Sequence, residues 1–137
     1  EQDIVYREPT PPKLAEGEPL PAGIWQESIT PSPTLLFRYS AVTFNGHRIH
    51  YDWPYATATE GYPGLVVHGP LMATLSLRAF CRANAQAQVR RFAYRGVRPL
   101  IAPQPFVLRG RVVAAGKAEL WVGNAEGIAQ QGEVSFD

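Results

Sequence analysis

The sequence is poor in the residues that build disulfides and metal clusters. It has one cysteine and three histidines in 137 residues, and the histidines are not grouped around Cys81. A lone cysteine cannot form an intrachain disulfide, and structural zinc sites need four ligands held close together. We therefore expect a chain from a reducing compartment, with no bound metal and with Cys81 in the core.

Long hydrophobic runs and a strong net charge are also lacking. No stretch reaches the roughly 18 uncharged apolar residues that a membrane span requires. The net charge is +1, which argues against a protein that uses bulk charge to hold nucleic acid or an anionic membrane. Apolar residues make up 45% of the chain and charged residues 18%, values typical of one folded domain at this length. We expect a cytoplasmic location, with the mitochondrial matrix as the alternative.

A local charge bias lies between residues 78 and 98. This segment has no acidic residue and carries six arginines: Arg78, Arg82, Arg90, Arg91, Arg95 and Arg98. Such a run usually forms a solvated face, and contact with a phosphate or another polyanion is the alternative.

Proline marks the first part of the chain. Seven of the thirteen prolines fall within the first 33 residues, which indicates an extended lead-in over residues 1–30 followed by one domain over residues 31–137. Two β-prone patches in the lead-in, Asp3–Arg7 and Ile24–Ile29, are predicted to add edge strands to a sheet.

Helix signals follow the lead-in. Ser32 is a good N-cap before Pro33, and apolar residues at helical spacing predict a helix from Pro33 to about Thr43. Asp52 is placed to cap a short helix over residues 53–56. The segment from Gly69 to Ala85 is apolar around most of its circumference, so we expect a helix enclosed by other structure.

Alternating patterns then predict four strands, at residues 89–97, 106–113, 119–122 and 128–136. A long buried helix followed by a consecutive antiparallel meander is an α+β arrangement in which the sheet curls around the helix, as in a hot dog fold. Such a sheet leaves an open edge, so we expect a homodimer or pairing with a second hot dog unit.

Polar side chains able to do chemistry concentrate in residues 45–52 and again at His68 and Gly69. The first segment reads Asn-Gly-His-Arg-Ile-His-Tyr-Asp and resembles the signature Asp-x-Asn-Pro-x-His-x-Asp of the MaoC-like, (R)-specific enoyl-thioester hydratases. Residues 66–70 resemble the helix-opening His-Gly element of the same family. The longer run Phe37–Asp52 is most similar to the second half of the 3-methylfumaryl-CoA (mesaconyl-CoA) hydratases and to the mitochondrial type 2 hydroxyacyl-thioester dehydratases.

The resemblance implies a hydro-lyase of fatty acid metabolism that reversibly hydrates an enoyl thioester of coenzyme A or acyl carrier protein. It places His50 on the family's catalytic histidine, Asn45 on its catalytic aspartate, and Gly69 on the glycine whose backbone N–H faces the thioester carbonyl. An amide cannot exchange a proton near neutral pH, so we expect His50 to deprotonate water that the Asn45 carbonyl oxygen holds. The first turn of the helix at Gly69 would stabilise the enolate.

No separate cofactor is implied, because coenzyme A or phosphopantetheine arrives as part of the substrate. Its phosphates are a candidate ligand for the arginine run, and we select Arg91 and Arg95 as contacts. Val66 and Val67 are expected to line the acyl channel and Tyr62 to close it. The remaining candidate for substrate binding is His68, which is expected to orient its loop by hydrogen bonding.

Several residues of the motif have a structural alternative. Asn45 is also a common turn residue, and Asp52 suits an N-cap as well as the orientation of an imidazole. Arg48 fits either a phosphate contact or an ion pair, and His47 is expected to be structural or on the surface.

Three functions remain open at this point. The first is the hydratase or dehydratase. The second is hydrolysis of the thioester on the same fold, which usually needs a carboxylate where this chain has Asn45. The third is a non-catalytic hot dog half that completes a dimer or binds an acyl chain.

Overall fold

The computed structural model describes Pro12 and residues 14–137. The predicted strand at Asp3–Arg7 lies outside these residues. Strand β1 (Trp25–Ile29) confirms the second of the two predicted edge strands.

Two helices form where the capping signals indicated. Helix α1 spans Pro33–Val42, and the Ser32 hydroxyl accepts the Leu35 N–H at 3.1 Å. Helix α2 spans Gly69–Ala83. Two short turns lie between them, a 3₁₀ turn at Arg48–His50 and a π-helical turn at Tyr55–Thr59.

The other four strands are β2 (Val89–Gly96), β3 (Phe106–Ala114), β4 (Lys117–Asn124) and β5 (Gly127–Phe136). With β1 they form one antiparallel five-stranded sheet in the order β1-β3-β4-β5-β2. The predicted meander is correct for β3, β4 and β5. It is wrong for β2, which pairs with β5 at the far edge instead of with its chain neighbour β3.

Helix α2 contacts all five strands and lies across one face of the sheet. Its N-terminal half, through Leu71 and Met72, packs in a core cluster with Leu36, Phe106 and Leu108. Its C-terminal half places Phe80 in a second cluster with Ala118, Leu120 and Val134. The first turn of α2 is therefore part of the larger cluster.

The prediction of a helix enclosed on nearly every side is wrong for the described chain. Thr74, Arg78, Cys81 and Arg82 form an exposed side of α2. Cys81 was expected in the core and is exposed. The count of apolar residues alone did not reveal this side, although Thr74, Arg78 and Arg82 recur every four residues and therefore share one side of a helix.

The arginine run forms ion pairs with acids from distant parts of the chain. Arg78 and Arg82 both approach Glu27 of β1, at 3.8 and 3.5 Å. Arg90 pairs with Asp137, the last residue of the chain. Arg98 pairs with Glu126 at 3.2 Å. Four of the six arginines thus have an acidic partner that is remote in sequence. Among the described residues, no helix is long and apolar enough to cross a membrane.

Candidate functional site

His50 is the best-defined reactive side chain. It ends the 3₁₀ turn at Arg48–His50 and is 8% exposed. Two contacts join this turn to Val66, which precedes α2. The Ile49 carbonyl accepts the Val66 N–H at 2.9 Å, and His50 Nδ1 lies 2.7 Å from the Val66 carbonyl oxygen. A carbonyl can only accept, so Nδ1 carries the proton and Nε2 of the neutral ring carries the lone pair.

The surroundings of His50 favour its neutral form. Burial lowers the pKa of His50 below its ordinary value, the bond to the Val66 carbonyl raises it, and His47 lowers it. The net direction is downward. A neutral imidazole with a free Nε2 is the form that a general base requires near neutral pH.

His68 lies directly against His50. The two rings are stacked with centroids 3.7 Å apart and planes 17° apart. His68 is fully buried, and its Nε2 lies 2.8 Å from the Ser40 hydroxyl of α1. Burial first, and the neighbouring His50 second, lower the pKa of His68 to about 4. The His68 side chain is therefore enclosed, and the predicted contact with substrate has no support from its placement.

The N-terminus of α2 follows His68 at once. The His68 carbonyl accepts the Met72 N–H at 3.1 Å, which turns the N–H of the His68–Gly69 peptide out of the helix. A Cβ built at Gly69 meets nothing within 4 Å apart from its chain neighbours and the backbone of its own helix, so the space beside the Gly69 Cα is open. Pro70 at the first turn costs no hydrogen bond. The geometry leaves an outward donor beside the imidazole stack.

Gln130 on β5 was missed by the sequence analysis. It is 2% exposed, and its Nε2 donates to the Gly69 carbonyl oxygen at 2.9 Å. This bond fixes the first turn of α2 against the sheet. The signal was available, because Gln130 is a polar residue at an inward-facing position between Ile128 and Val134, and a buried amide needs a partner.

Asn45 is held in a turn. Its Oδ1 accepts the His47 N–H at 3.0 Å, and its own N–H bonds to the Ser40 carbonyl at 2.9 Å. The turn alternative is thus confirmed as a structural role. The carbonyl oxygen that was expected to hold water already has one bond, and its second lone pair is the remaining site for a water.

A cavity of about 430 Å³ opens beside Asn45. Its lining is largely apolar and consists of Phe37, Ser40, Ala41, Phe44, Asn45, Gly46 and Tyr51. Phe44 is 96% exposed and has a φ of 52°, in the left-handed region that costs energy for an aromatic residue. Ser40 links the cavity to the histidine stack, because its hydroxyl bonds His68.

A polar frame surrounds the motif. Asp52 Oδ1 accepts the Tyr55 N–H at 3.1 Å, which confirms its predicted capping role. Asp52 also pairs with Arg48 at 2.9 Å, so the ion-pair alternative for Arg48 is correct, and its guanidinium lies over the Tyr55 ring. The Tyr55 N–H and Arg48 lower the pKa of Asp52. His47 is exposed and lies 3.9 Å from Glu60.

A family model described as hydroxyacyl-thioester dehydratase type 2 matches residues 1–102. The chain belongs to this family. The match includes both segments on which the resemblance to the MaoC-like hydratases rests, together with His50, His68 and Gly69.

Two curated relatives support the assignment. The chain is 50% identical to the mesaconyl-C(4)-CoA hydratase of Chloroflexus aurantiacus over 115 residues, covering 81% of this chain and 40% of that protein. It is 36% identical to the mitochondrial hydroxyacyl-thioester dehydratase type 2 of Schizosaccharomyces pombe over 113 residues, covering 81% of this chain and 36% of that protein. The chain thus spans well under half the length of either relative.

Solved structures of similar shape confirm the hot dog fold. The ChsH1-ChsH2 complex from Mycobacterium tuberculosis matches with a TM-score of 0.72 at 17% identity, over 91% of this chain and 98% of that one. The (R)-hydratase from A. caviae involved in PHA biosynthesis matches with a TM-score of 0.71 at 17% identity, over 86% of this chain and 96% of that one.

The other predicted substrate contacts do not line the cavity beside Asn45. Val66 and Val67 are buried, and Val67 belongs to the main core cluster, so neither lines the cavity beside Asn45. Tyr62 is partly buried, and burial raises the pKa of its hydroxyl. Its role as a channel cover stays a prediction.

Arg91 and Arg95 lie on the face of the sheet opposite α2. Their neighbour Phe92 packs into the core cluster of Phe80, and the alternation of β2 turns both arginines outward. They line an outer cavity together with Glu119 and Glu133. Two carboxylates in the same cavity disfavour a phosphate there, so the phosphate-contact prediction gains no support.

Proposed function

We propose that this chain carries the active site of a hydratase and dehydratase of enoyl and 3-hydroxyacyl thioesters. The observation that carries the proposal is the placement of His50, a buried imidazole with a free Nε2, against the residue that precedes the outward amide of Gly69. The family and the names of the two curated relatives point to the same chemistry.

The proposed reaction needs one base and one oxyanion donor. His50 Nε2 removes a proton from water as the water oxygen bonds to Cβ of the enoyl thioester. The electrons of the double bond move toward the thioester oxygen, where the Gly69 N–H and the positive end of α2 stabilise the enolate. The protonated His50 then returns its proton to Cα, which completes the addition of water. The reverse sequence is dehydration.

The substrate is proposed to be a coenzyme A or carrier-protein thioester. The proposed place for its acyl part is the cavity beside Asn45, which has a largely apolar lining and is large enough for a short chain. Asn45 borders this cavity, so its remaining lone pair can hold the attacking water at the edge of the acyl site. No separate cofactor is needed for this chemistry.

The experiment is an assay with crotonyl-CoA, followed by mesaconyl-CoA and carrier-linked enoyl thioesters. We expect loss of the conjugated thioester absorbance without release of free thiol. Release of thiol would indicate hydrolysis, and no change with any of these substrates would indicate a non-catalytic half; either result contradicts the proposal.

His50→Ala is the decisive variant, and His47→Ala is its matched control because that histidine lies on the same segment but is exposed. Loss of a general base should lower turnover by about 10²- to 10⁴-fold for His50→Ala. Turnover of His47→Ala should stay close to that of the unchanged chain. If His50→Ala turned over substrate as fast as His47→Ala, His50 would not be the general base.

We also propose that the chain works paired with a second hot dog unit, either another copy or a further domain. Strands β1 and β2 are the two edges of the described sheet and expose unpaired backbone groups. Phe37 and Phe44 are exposed beside the cavity, where a partner would cover them. Sedimentation of the purified chain tests self-pairing: a dimer at assay concentration supports it, and a monomer contradicts it.

A further inference from the structure

The stacked histidine pair contains one ring that the proposed reaction does not use. His68 is fully buried, so it cannot touch a substrate without rearrangement. Its ring is held on three sides: by the Ser40 hydroxyl at 2.8 Å, by the edge of the Tyr39 ring at 4.8 Å, and by the face of His50 at 3.7 Å. A polar side chain enclosed in this way calls for an explanation.

The protonation of His68 follows from its partners. Nδ1 is buried and has no hydrogen-bond partner in the described part of the chain. A buried N–H without an acceptor costs more than a bare lone pair, so the proton belongs on Nε2, which donates to Ser40 Oγ. Both imidazoles are then neutral, and each is held by one hydrogen bond.

We propose that His68 is a positioning residue for His50. Its neutral ring stacks on one face of the His50 imidazole, sets the plane of that imidazole and keeps water from the stacked face. No proton of His68 takes part in the reaction. This inference rests on the proposed function for its catalytic consequence, but the effect on the His50 ring is a property of the chain alone.

The orientation of the His50 ring depends on the stacking as well as on its hydrogen bond. The hydrogen bond to the Val66 carbonyl oxygen restrains rotation of the His50 ring about the Cβ–Cγ bond through one atom, and a single hydrogen bond still allows the ring to tilt. Stacking at 3.7 Å removes this freedom and aims Nε2 in one direction. Within the residues that the structure describes, the other titratable and charged groups near the pair lie on its own segment, on the following turn and on α1. They are His47, Arg48, Asp52, Tyr55, Glu60 and Tyr39. Arg48 and Asp52 form an ion pair with each other. The His68 ring, with its centroid at 3.7 Å, lies closer to the His50 ring than the His47 ring does at 5.8 Å.

The test compares two substitutions at one position. His68→Phe keeps an aromatic face against His50 and has no proton to transfer. His68→Ala removes the stacked aromatic ring and admits water to the His50 imidazole. Ser40→Ala is combined with His68→Phe so that no buried hydroxyl is left without its partner. Thermal unfolding of each variant establishes that the chain is folded before any comparison.

The first readout is the NMR titration of the imidazole signals in the purified chain, which is simple because the sequence has three histidines. His68→Ala should move the midpoint of His50 upward, toward its ordinary value of about 6.5, because water returns to the ring. His68→Phe with Ser40→Ala should leave that midpoint within a few tenths of its original position. An unchanged midpoint in His68→Ala overturns the proposal, whether or not the chain turns over substrate.

The second readout is turnover of the enoyl thioester. His68→Ala should lower kcat by about 10- to 100-fold with little change in KM, because a displaced base is misaligned in the transition state. His68→Phe with Ser40→Ala should keep a higher kcat than His68→Ala, and Ser40→Ala alone is the reference for it because Ser40 lines the proposed acyl cavity. If both variants lose activity equally while the His50 titration behaves as expected, His68 donates a proton or a hydrogen bond and the positioning role is wrong. If the unchanged chain shows no turnover, the proposed function fails and the titration alone decides the positioning claim.

Discussion

Acid should destabilise this protein through His68. The ordinary pKa of a histidine is about 6.5, and burial in the fold lowers that of His68 to about 4. Between these two values the unfolded chain binds a proton at this residue and the folded chain does not. The free energy of unfolding must therefore fall as the pH falls from about 6.5 and must level off near about 4.

The size of the effect follows from the two pKa values. At roughly 1.4 kcal/mol for each tenfold difference in proton affinity, the gap corresponds to about 3 kcal/mol when the whole window is crossed. This is a large share of the 5–15 kcal/mol that stabilises a typical domain, so the transition is measurable. His50 contributes in the same direction, since burial lowers its pKa as well.

Urea unfolding followed by tryptophan fluorescence, repeated from about pH 7 to about pH 4, measures the effect. The chain has three tryptophans to report it. His68→Phe with Ser40→Ala should have a much flatter pH dependence than Ser40→Ala alone, which keeps the buried imidazole and is the matched control. The same slope in the double variant and in the unchanged chain would refute the claim that burial holds His68 neutral.

Three further predictions concern the site. Gln130→Leu removes the buried bond to the Gly69 carbonyl and should cost about 1 kcal/mol in thermal unfolding and lower kcat; Gln131→Leu on the opposite face is its control, and equal effects would contradict the anchoring role. Asn45→Asp should keep hydration within about tenfold, because a carboxylate oxygen accepts the same backbone N–H; a collapse of activity would show that the neutral amide is required. The acid limb of kcat/KM should have its midpoint below the ordinary histidine value of about 6.5, because the pKa of His50 is lowered; a midpoint at or above that value would assign the limb to another group.

Local signals were sufficient for most of the secondary structure. Ser32 and Asp52 predicted two helix starts correctly, because capping depends on bonds within three residues. The two-residue alternation likewise located the strands. The order of the strands was less accessible, since β2 pairs with β5 across more than 30 residues while the nearer β3 is equally suitable in pattern.

The candidate site was only partly predictable for the same reason. The motif located His50 and Gly69, but the contacts that define their chemistry come from other elements: the Val66 carbonyl, the His68 ring and the Gln130 amide. None of these contacts has a sequence spacing that periodicity can reveal. They depend on how α1, α2 and β5 pack together, which is a property of the fold.

The most direct test of the central claim is a crystal structure of the chain with a saturated acyl-CoA, which binds as the substrate but cannot be hydrated. The account predicts the thioester oxygen within about 3 Å of the Gly69 N, and Cβ of the acyl group within reach of His50 Nε2 through one water. A thioester carbonyl that binds elsewhere, with the imidazole of His50 remote from Cβ, would contradict it.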